Sequence, residues 1–546
     1  MTSTSQLCQS DLFEKRSELL SRDARVVLSY ERARAIGLAH GITLHDTLDL
    51  TQKFWDMHID PIVVLDGAAF TLLIIQYNLV AGTLAQYAAT TRPDLVSLVE
   101  DILRWDVIGQ FCLTELGRGL DIFRMKTSAT LLPTGQFDLH TPLPSDAKFM
   151  PPTVPVKGLP CVAIVFAQLY VNGECRGPRP FLVNINDGYH MCNGVTSKLL
   201  PPRGGSAPVN HALTSFHHVR LPPSALLGDL DKSNRIHHDF MSSIWRVMVG
   251  SLAIGSMAIP DLQMSSYIAG VTFSLPLLHA IAQAFVLRAF YKWAIEQFMD
   301  KNLDVRVRHG VAACCKAVMV QHAQLANYAL SERMGAQGLF EYNRLSNLYS
   351  EIRGVSIAEG DILGLSMRQC RLVEDTLGQM YTLPLSTHPD SPLALHEISL
   401  FDEATETVSS SFDFTQGFMQ YVQPRCQLMV ESMGHRMAYD AAVDQGISQS
   451  LVDLYLINAI KTDAAWYVER SILTRQAIMR MEDTALLAAL PRLDELLAAM
   501  EVEPYVSSPI ISDECWEKFS KTLPVYSSPQ AEVLAQSTLV SERARL

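Results

Sequence analysis

Glu359 is a candidate general base, because of the residues that surround it in the sequence. It lies in the segment Val355-Ser356-Ile357-Ala358-Glu359-Gly360, whose residues are mostly apolar or small. An apolar setting disfavours the charged carboxylate and raises its pKa toward the working range of a general base. The same pattern also fits an exposed or ion-paired glutamate, so the residue alone leaves both interpretations open.

Two glycine-containing stretches could hold a ligand close to the backbone. The turn Gly335-Ala336-Gln337-Gly338 ends a helical stretch, and Glu359 follows it 21 residues after Gly338. Glycine at the end of a long helix permits close approach of another backbone or a ligand. The second stretch, FCLTELGRG (111–119), places the Thr114 hydroxyl near two glycines. A plain turn also explains this second stretch.

Several classes of chemistry and of partner are not indicated. The sequence has no P-loop, GxSxG, HExxH or GxGxxG motif, and the pairs His217-His218 and His237-His238 lack a third ligand at metal spacing. Ten cysteines without a CxxC pair predict free thiols and no zinc site. A net charge of −13 without a long basic run argues against nucleic-acid binding. A nucleotide cofactor stays possible, since a few backbone amides can hold a phosphate.

The order of predicted elements is helices, a β unit, then helices. Hydrophobic residues make up 48% of the chain and charged residues 18%, so a packed core is expected rather than disorder. The pattern is helical from 23 to about 105 and again from 242 to about 353. Between them, the run CVAIVFAQLYV, the turn Asn172-Gly173 and RPFLVNI predict a β-hairpin. The proline-rich segment after Thr382 predicts a loop, with helices resuming near Thr415.

An uncharged run between Asp261 and Arg288 is long enough to cross a membrane. It contains several polar residues and Pro276 near its middle. We therefore predict a pair of buried helices there and no membrane span. The N-terminus lacks the basic start and apolar block of a secretory signal.

Three stretches, taken with the order of elements, resemble the acyl-CoA dehydrogenase and oxidase superfamily. They are FCLTELGRG, the block VFAQLYVNGECRGPRPFLVNI with FHHVRLPPSALLG, and GAQG…IAEG. The second block and the long helical region after Glu359 are similar to peroxisomal acyl-CoA oxidases. The resemblance implies a mostly α fold with a central β domain. Its expected units are an N-terminal helical domain (1–110), a β-barrel-like domain (111–230), a helical bundle carrying the base (231–385) and a C-terminal helical extension (386–546).

The resemblance also implies an activity and a set of site residues. The activity is FAD-dependent α,β-desaturation of an acyl-CoA thioester with electrons passed to O₂. Glu359 is then the catalytic base, and its own backbone amide is one donor to the thioester oxygen. The implied substrate-binding residues are Leu120 and Gly360. The implied cofactor-binding residues are Leu113, Thr114, Met150, Pro151, Thr272, Phe273, Gly335, Gln337 and Gly338. The Gly335–Gly338 turn would meet the partner subunit's FAD, which implies a homodimer.

Departures from the family pattern keep alternatives open. Leu120 replaces a substrate-binding serine, and Asp361 replaces a small polar residue. The aromatic, glycine-containing flavin wall appears here as Lys148-Phe149-Met150-Pro151-Pro152, and residues 270–273 lack the usual arginine. These changes fit a specialised biosynthetic substrate, or a scaffolding homologue without flavin chemistry. A dehydrogenase with a protein electron acceptor is a further alternative. The C-terminal Ala544-Arg545-Leu546 is similar to a peroxisomal address, with the cytoplasm as the alternative location.

Overall fold

Helices form the part of the chain that precedes the first strand. The structure, a computed structural model, describes residues 3–119, 121–272, 275–359, 383–411 and 413–526. The N-terminal helices are α1 Ser3–Leu7, α2 Asp11–Glu14, α3 Arg22–His40, α4 Leu44–Asp49, α5 Gln52–His58, α6 Gly67–Leu73, α7 Gly82–Thr90 and α8 Val96–Leu103. A π-helical segment, Ile74–Ala81, joins α6 to α7 without a break. Its residues are apolar on most faces, so it runs through the core.

The strands follow between Ile108 and Leu221 and form two sheets. They are β1 Ile108–Cys112, β2 Ser128–Leu131, β3 Phe137–His140, β4 Lys148–Phe149, β5 Cys161–Val171, β6 Glu174–Asn186, β7 Val195–Leu199, β8 Ala212–Phe216 and β9 Val219–Leu221. β5 pairs antiparallel with β6 on one side, and parallel with β1 and then β2 on the other. β2, β3 and β9 continue that sheet, and β4, β8 and β7 form the second.

The predicted hairpin is confirmed at the turn between β5 and β6. Asn172 and Gly173 both have positive φ, at 51° and 78°. Two consecutive residues with positive φ match the twist of a two-residue hairpin turn, and asparagine followed by glycine tolerates that conformation best. The segment from Cys161 to Asn186 is therefore extended, as expected, and not helical.

A second helical region follows the sheets and surrounds the candidate site. Its helices are α9 Ile236–Ser243, α10 Arg246–Gly255, α11 Ala258–Ala269, α12 Leu275–Met299, α13 Val305–Arg333 and α14 Leu345–Ile357. α10 packs between the π-helical segment and α13, and α14 packs on α13. The uncharged run after Asp261 forms α11 and the first half of α12, so the predicted pair of buried helices is confirmed.

The C-terminal region is also helical, but one helix begins earlier than the sequence suggested. The helices there are Pro392–Ser409, Phe414–Gly417, Cys426–Asp444, Gln449–Thr462, Ala464–Glu469, Arg475–Ala489, Leu493–Ala498 and Asp513–Ser520. The predicted loop up to about Thr415 is wrong, because Pro392 is the first residue of a helix that Ser391 caps. Proline suits that position, where its missing N–H has no intrahelical partner.

Two helical stretches are long and apolar enough to cross a membrane by length and composition. They are Gly67–Thr90 and Arg246–Ala269, and the apolar windows are 89% and 94% buried within the protein. Burial of this degree is typical of core helices in a folded domain. The absence of a membrane span stays a prediction.

Candidate active site

Glu359 lies directly after α14, where two other helices hold its backbone. The last helical bond of α14 runs from the Ala358 N–H to the Gly354 carbonyl, at 3.1 Å. Glu359 then turns into the left-handed region with φ of 58°, which is uncommon for a residue other than glycine. Lys316 Nζ on α13 donates to the Ala358 carbonyl, and Ser251 Oγ on α10 donates to the Glu359 carbonyl at 2.9 Å.

The Glu359 carboxyl group packs against a glycine on α10. A Cβ atom at Gly250 would lie 2.8 Å from Cδ of Glu359 and 3.0 Å from Nδ2 of Asn78, so no larger residue fits there without movement. Burial raises the pKa of Glu359 to about 8, although the Lys316 ammonium acts in the opposite direction. A carboxyl group with this pKa can take up a proton near neutral pH.

Three polar residues near Glu359 come from other elements, and the sequence did not identify them. Lys316 and Arg246 are almost fully buried, and Asn78 Nδ2 donates to the Arg246 carbonyl at 2.9 Å. Arg246 Nη2 donates to the Thr47 carbonyl at 2.6 Å, and burial lowers the pKa of Arg246 to about 9. The available signal was a single basic residue in each apolar stretch, SSIWRVMVG and VAACCKAVMV.

The structure brings Thr114 together with Met150 and Pro151. The Phe149 N–H donates to the Thr114 carbonyl at 2.9 Å, which places the two loops side by side. Met150 has φ of 77°, and its carbonyl accepts from Nδ1 of His211. The Thr114 side chain is half-buried, and its hydroxyl makes no hydrogen bond within the described part of the chain. A hydroxyl in that state is available to a ligand.

A buried ion pair fixes these two loops to each other. Lys148 Nζ lies 3.1 Å from Oε1 of Glu115, and both side chains are fully buried. The same ammonium donates to the Leu113 carbonyl at 3.3 Å. Glu115 also accepts the N–H groups of Lys126 and Thr127, at 2.7 and 2.8 Å. Burial opposes ionisation of Glu115, but Lys148 and these hydrogen bonds hold its pKa below the ordinary value.

Thr272 and the turn Gly335–Gly338 form a separate group. Thr272 Oγ1 lies 3.4 Å from the sulfur of Met334, the residue before the turn. Gly335 has φ of 56° and open space around it, whereas Gly338 packs closely on Ser331. Oε1 of Gln337 accepts from Asn343 and Tyr342, so this oxygen is already used within the chain.

The ligand contacts of these residues stay predictions. The structure places Thr114 beside Met150, and Thr272 beside the glycine turn, while Glu359 lies at the helix packing of α10, α13 and α14. Leu120, Phe273 and Gly360, which the sequence also suggested, lie outside the described residues.

No protein-family model matches the chain. Among curated proteins, human peroxisomal acyl-coenzyme A oxidase 3 is 30% identical over 208 residues, which cover 35% of this chain and 29% of that protein. Acyl-coenzyme A oxidase 1 of Drosophila melanogaster is 22% identical over 361 residues, covering 57% and 53%. The matched segments therefore span about half of these relatives' length or less.

Solved structures of acyl-CoA oxidases share the fold over nearly the whole chain. Acyl-CoA oxidase 1 of Yarrowia lipolytica aligns with a TM-score of 0.81 at 16% identity, over 98% of this chain and 92% of that one. Acyl-CoA oxidase 1 of Arabidopsis thaliana gives a TM-score of 0.78 at 16% identity, over 98% and 95%. At 16% identity the structural likeness shows a shared fold. The curated acyl-CoA oxidases are, in addition, similar in sequence over part of the chain. The chain is therefore similar to acyl-CoA oxidases in fold over nearly its whole length and in sequence over part of it.

Proposed function

We propose that this protein is a FAD-dependent, acyl-CoA oxidase-like enzyme that forms an α,β double bond in an acyl thioester and passes the electrons to O₂. The observation that carries the proposal is Glu359, a carboxyl group with a raised pKa on a backbone that two other helices anchor. Similarity to acyl-CoA oxidases in fold and in part of the sequence supports the reaction class. The substrate class, an acyl thioester, follows from the names of the relatives.

The residues around Thr114 fit the edge of a flavin ring. The Thr114 hydroxyl has no partner among the described residues, and the Lys148–Glu115 pair holds its loop next to Met150. Leu113, Thr114, Met150 and Pro151 would contact the ring, and Thr272, Gly335, Gln337 and Gly338 would contact the adenine half. A relative, acyl-CoA oxidase-1 of Caenorhabditis elegans, is described in complex with FAD and ATP. Bound FAD would supply the acceptor for the hydride that leaves the β-carbon.

The chain's own residues would move the proton and polarise the thioester. Glu359 takes the α-proton, and its backbone N–H donates to the thioester oxygen, where negative charge develops. The carboxyl must be ionised to accept the proton, and its pKa is about 8. The rate should therefore rise with pH up to about 8 and then level off.

We further propose a homodimer in which the glycine turn contacts the partner subunit. The support is a set of large apolar side chains that are more than half exposed. Leu339 and Phe340 lie in and directly after the turn segment, and Leu325 and Tyr328 lie on α13, which leads into it. Exposed apolar patches of this kind mark protein interfaces. Light scattering on the purified protein checks the proposal, and a monomer at micromolar concentration would contradict it.

The proposed location is the peroxisome, with support from the names of the relatives. Ala544-Arg545-Leu546 lies outside the described residues and is the proposed address. Removing these three residues should leave a fluorescently tagged chain in the cytosol without changing its activity in vitro. Import of the truncated chain in cells lacking the full-length protein would contradict the assignment.

The test of the reaction class is a spectrum followed by a turnover assay. Purified protein should absorb at about 370 and 450 nm, the bands of bound flavin. A panel of saturated acyl-CoA thioesters should bleach the long-wavelength band, and hydrogen peroxide should appear in air. Bleaching without peroxide would favour a dehydrogenase with a protein acceptor. Protein that stays colourless with added FAD would favour the non-redox alternative.

A further inference from the structure

Lys316 is a charged residue in the middle of an apolar helix face, and it reaches the backbone of the candidate base. Its side chain is fully buried, and its stem packs against Gly255 on α10. The ammonium group donates to the carbonyl of Ala358. Burying a cation costs several kcal/mol unless it is paired or bonded, and one of the bonds of this ammonium is to the Ala358 carbonyl.

The contact reaches one particular peptide unit. The Ala358 carbonyl and the Glu359 N–H belong to the same amide group, and that N–H is the proposed donor to the thioester oxygen. A positive charge bonded to an amide oxygen draws electron density from the nitrogen and strengthens the N–H as a donor. Lys316 bonded to the Ala358 carbonyl would therefore increase the polarisation of a thioester carbonyl that accepts from the Glu359 N–H.

The same contact helps to fix an unfavourable backbone conformation. Glu359 has φ of 58°, and a left-handed residue other than glycine costs on the order of 1 kcal/mol. Lys316 from α13 holds the carbonyl before Glu359, and Ser251 from α10 holds the carbonyl after it. Two helices thus determine where the Glu359 N–H and carboxyl group lie.

We propose that Lys316 is a positioning residue that orients and polarises the Ala358–Glu359 peptide as an oxyanion donor and electrostatically supports the ionised base. This inference rests on the proposed function, because it assigns Lys316 a role in the same reaction. Lys316 is not expected to touch the acyl chain or the flavin. It acts through the Ala358–Glu359 peptide and the carboxyl group of Glu359.

The charged groups around Glu359 are consistent with this role. α13 presents Lys316, whose charge lowers the pKa of Glu359 against the effect of burial. α10 carries Arg246 one helical turn before Gly250, with its guanidinium directed to Gly82 and Thr47. The π-helical segment presents the uncharged Asn78. On α14, Glu351 lies two turns before Glu359 and bonds to the Gly67 N–H.

The test compares Lys316→Met, which removes the charge, with Lys316→Arg, which keeps it. Lys316→Met should lower kcat by about 10-fold to 100-fold, below the usual cost of removing an oxyanion donor itself, with little change in KM. The acid limb of the pH profile should move up by about one unit, because the base loses a favourable cation. Lys316→Arg should recover part of both effects. Ser251→Ala is the matched control, and it should lower kcat without moving the acid limb.

Two readouts do not depend on turnover. The infrared carbonyl stretch of a bound, ¹³C-labelled thioester should shift toward its solution value in Lys316→Met. The Glu359 carboxyl can be titrated by infrared spectroscopy, with Glu359→Gln used to identify its bands in a difference spectrum. In Lys316→Met its titration midpoint should move to higher pH than in the protein with Lys316. Lys316→Gln, which can still donate to the Ala358 carbonyl, replaces the Met variant if that variant does not fold, and it should show the same direction of change.

The outcomes separate this inference from the proposed function. A wild-type protein that does not desaturate acyl thioesters refutes the proposed function, and the carboxyl titration still decides the role of Lys316. An active wild type whose folded Lys316→Met variant keeps the acid limb, the carbonyl frequency and the carboxyl titration overturns the inference. Lowered stability alone, with these three readouts unchanged, would mean that Lys316 is only structural.

Discussion

The Glu359 carboxyl is surrounded by groups that act on it in opposite directions. Burial favours the neutral acid, and the Lys316 ammonium favours the carboxylate. The result is a pKa of about 8, above that of an exposed glutamate and close to the pH of a cell. The side chain can therefore exchange a proton without a large energetic cost in either direction.

This raised pKa makes a prediction for stability. An unfolded glutamate releases its proton near pH 4.5, whereas the folded one holds it to about pH 8. Stability is therefore highest at low pH with respect to this group, and it falls as pH rises from 4.5 to 8. Glu359→Gln removes this titration, so it should gain thermal stability relative to wild type between pH 5 and 8.5. Differential scanning calorimetry of both proteins measures the difference, and a constant difference across that range would contradict a raised pKa.

Thr114 makes a prediction about flavin affinity. Thr114→Val keeps the branched shape and removes a hydroxyl that has no partner in the described protein. Losing one hydrogen bond to the cofactor should weaken FAD binding about 5-fold to 10-fold, near 1 kcal/mol. Thr130→Val, at an exposed position of β2, is the matched control and should leave the affinity unchanged. Equal affinities for wild type and Thr114→Val, measured by flavin fluorescence on the apoproteins, would exclude the hydroxyl as a ligand.

The sequence identified residues whose motif context is local, and it missed residues that pack from a distance. Glu359 and Thr114 lie in short recognisable stretches. Lys316 is 42 residues from its acceptor, and Asn78 and Arg246 are 168 residues apart. Such contacts depend on how α10, α13 and the π-helical segment pack. Local residue patterns do not encode that packing.

At the scale of elements, the pair Lys148–Glu115 connects the end of β1 to β4. Glu115→Gln leaves a buried ammonium without its anion, and breaking a buried pair from one side costs about 3–5 kcal/mol. We expect lower stability and weaker FAD binding together, because the Thr114 and Met150 loops then lose their connection. Denaturant titration and flavin fluorescence measure the two effects.

The control for this pair is an exposed one. Lys521 and Glu517 form an ion pair at the C-terminal end of the helix Asp513–Ser520, with each side chain 70% exposed. Lys521→Met should cost under about 1 kcal/mol and leave FAD binding unchanged. If Glu115→Gln behaves like Lys521→Met, the buried pair does not position the loops.

Elements with strong local patterns were predictable, and those with ambiguous signals were not. The β5–β6 hairpin combines two runs rich in apolar residues with an Asn-Gly turn, and it forms as expected. The helix Pro392–Ser409 was predicted as part of a loop because of its flanking prolines. One of those prolines starts the helix instead of ending it. Residues Ile74–Ala81 form π-helical hydrogen bonds that join α6 and α7 into one continuous helix. The amino-acid sequence of this segment does not indicate that change in hydrogen bonding.

For the whole molecule, buried histidines predict sensitivity to acid. His435 packs edge-to-face against His322 and hydrogen-bonds to the Tyr455 hydroxyl, where α13 meets the C-terminal helices. Burial, with a smaller effect from His396, lowers the pKa of His435 to about 3. An unfolded histidine binds a proton near pH 6.5, so stability is lost as pH falls below 6.5, by about 1.4 kcal/mol per pH unit for each such group.

His435→Gln tests this account of acid sensitivity. The variant can still bond to Tyr455 but has no proton to bind, so its stability should depend less steeply on pH between 6.5 and 5. Urea unfolding at several pH values measures the slope. An unchanged slope would show that His435 does not limit stability in acid, and His58, whose pKa burial lowers to about 4, would be the next candidate.

The central claim is that Glu359 removes the α-proton during acyl-CoA desaturation. The direct measurement is the rate of flavin bleaching in a single turnover, with excess acyl-CoA and no O₂, for wild type and Glu359→Gln. The variant keeps the shape and the backbone N–H of Glu359. We predict flavin content and thioester binding close to wild type, with bleaching slower by about 10²-fold to 10⁴-fold, the usual contribution of a positioned base. Bleaching at the wild-type rate would contradict the claim.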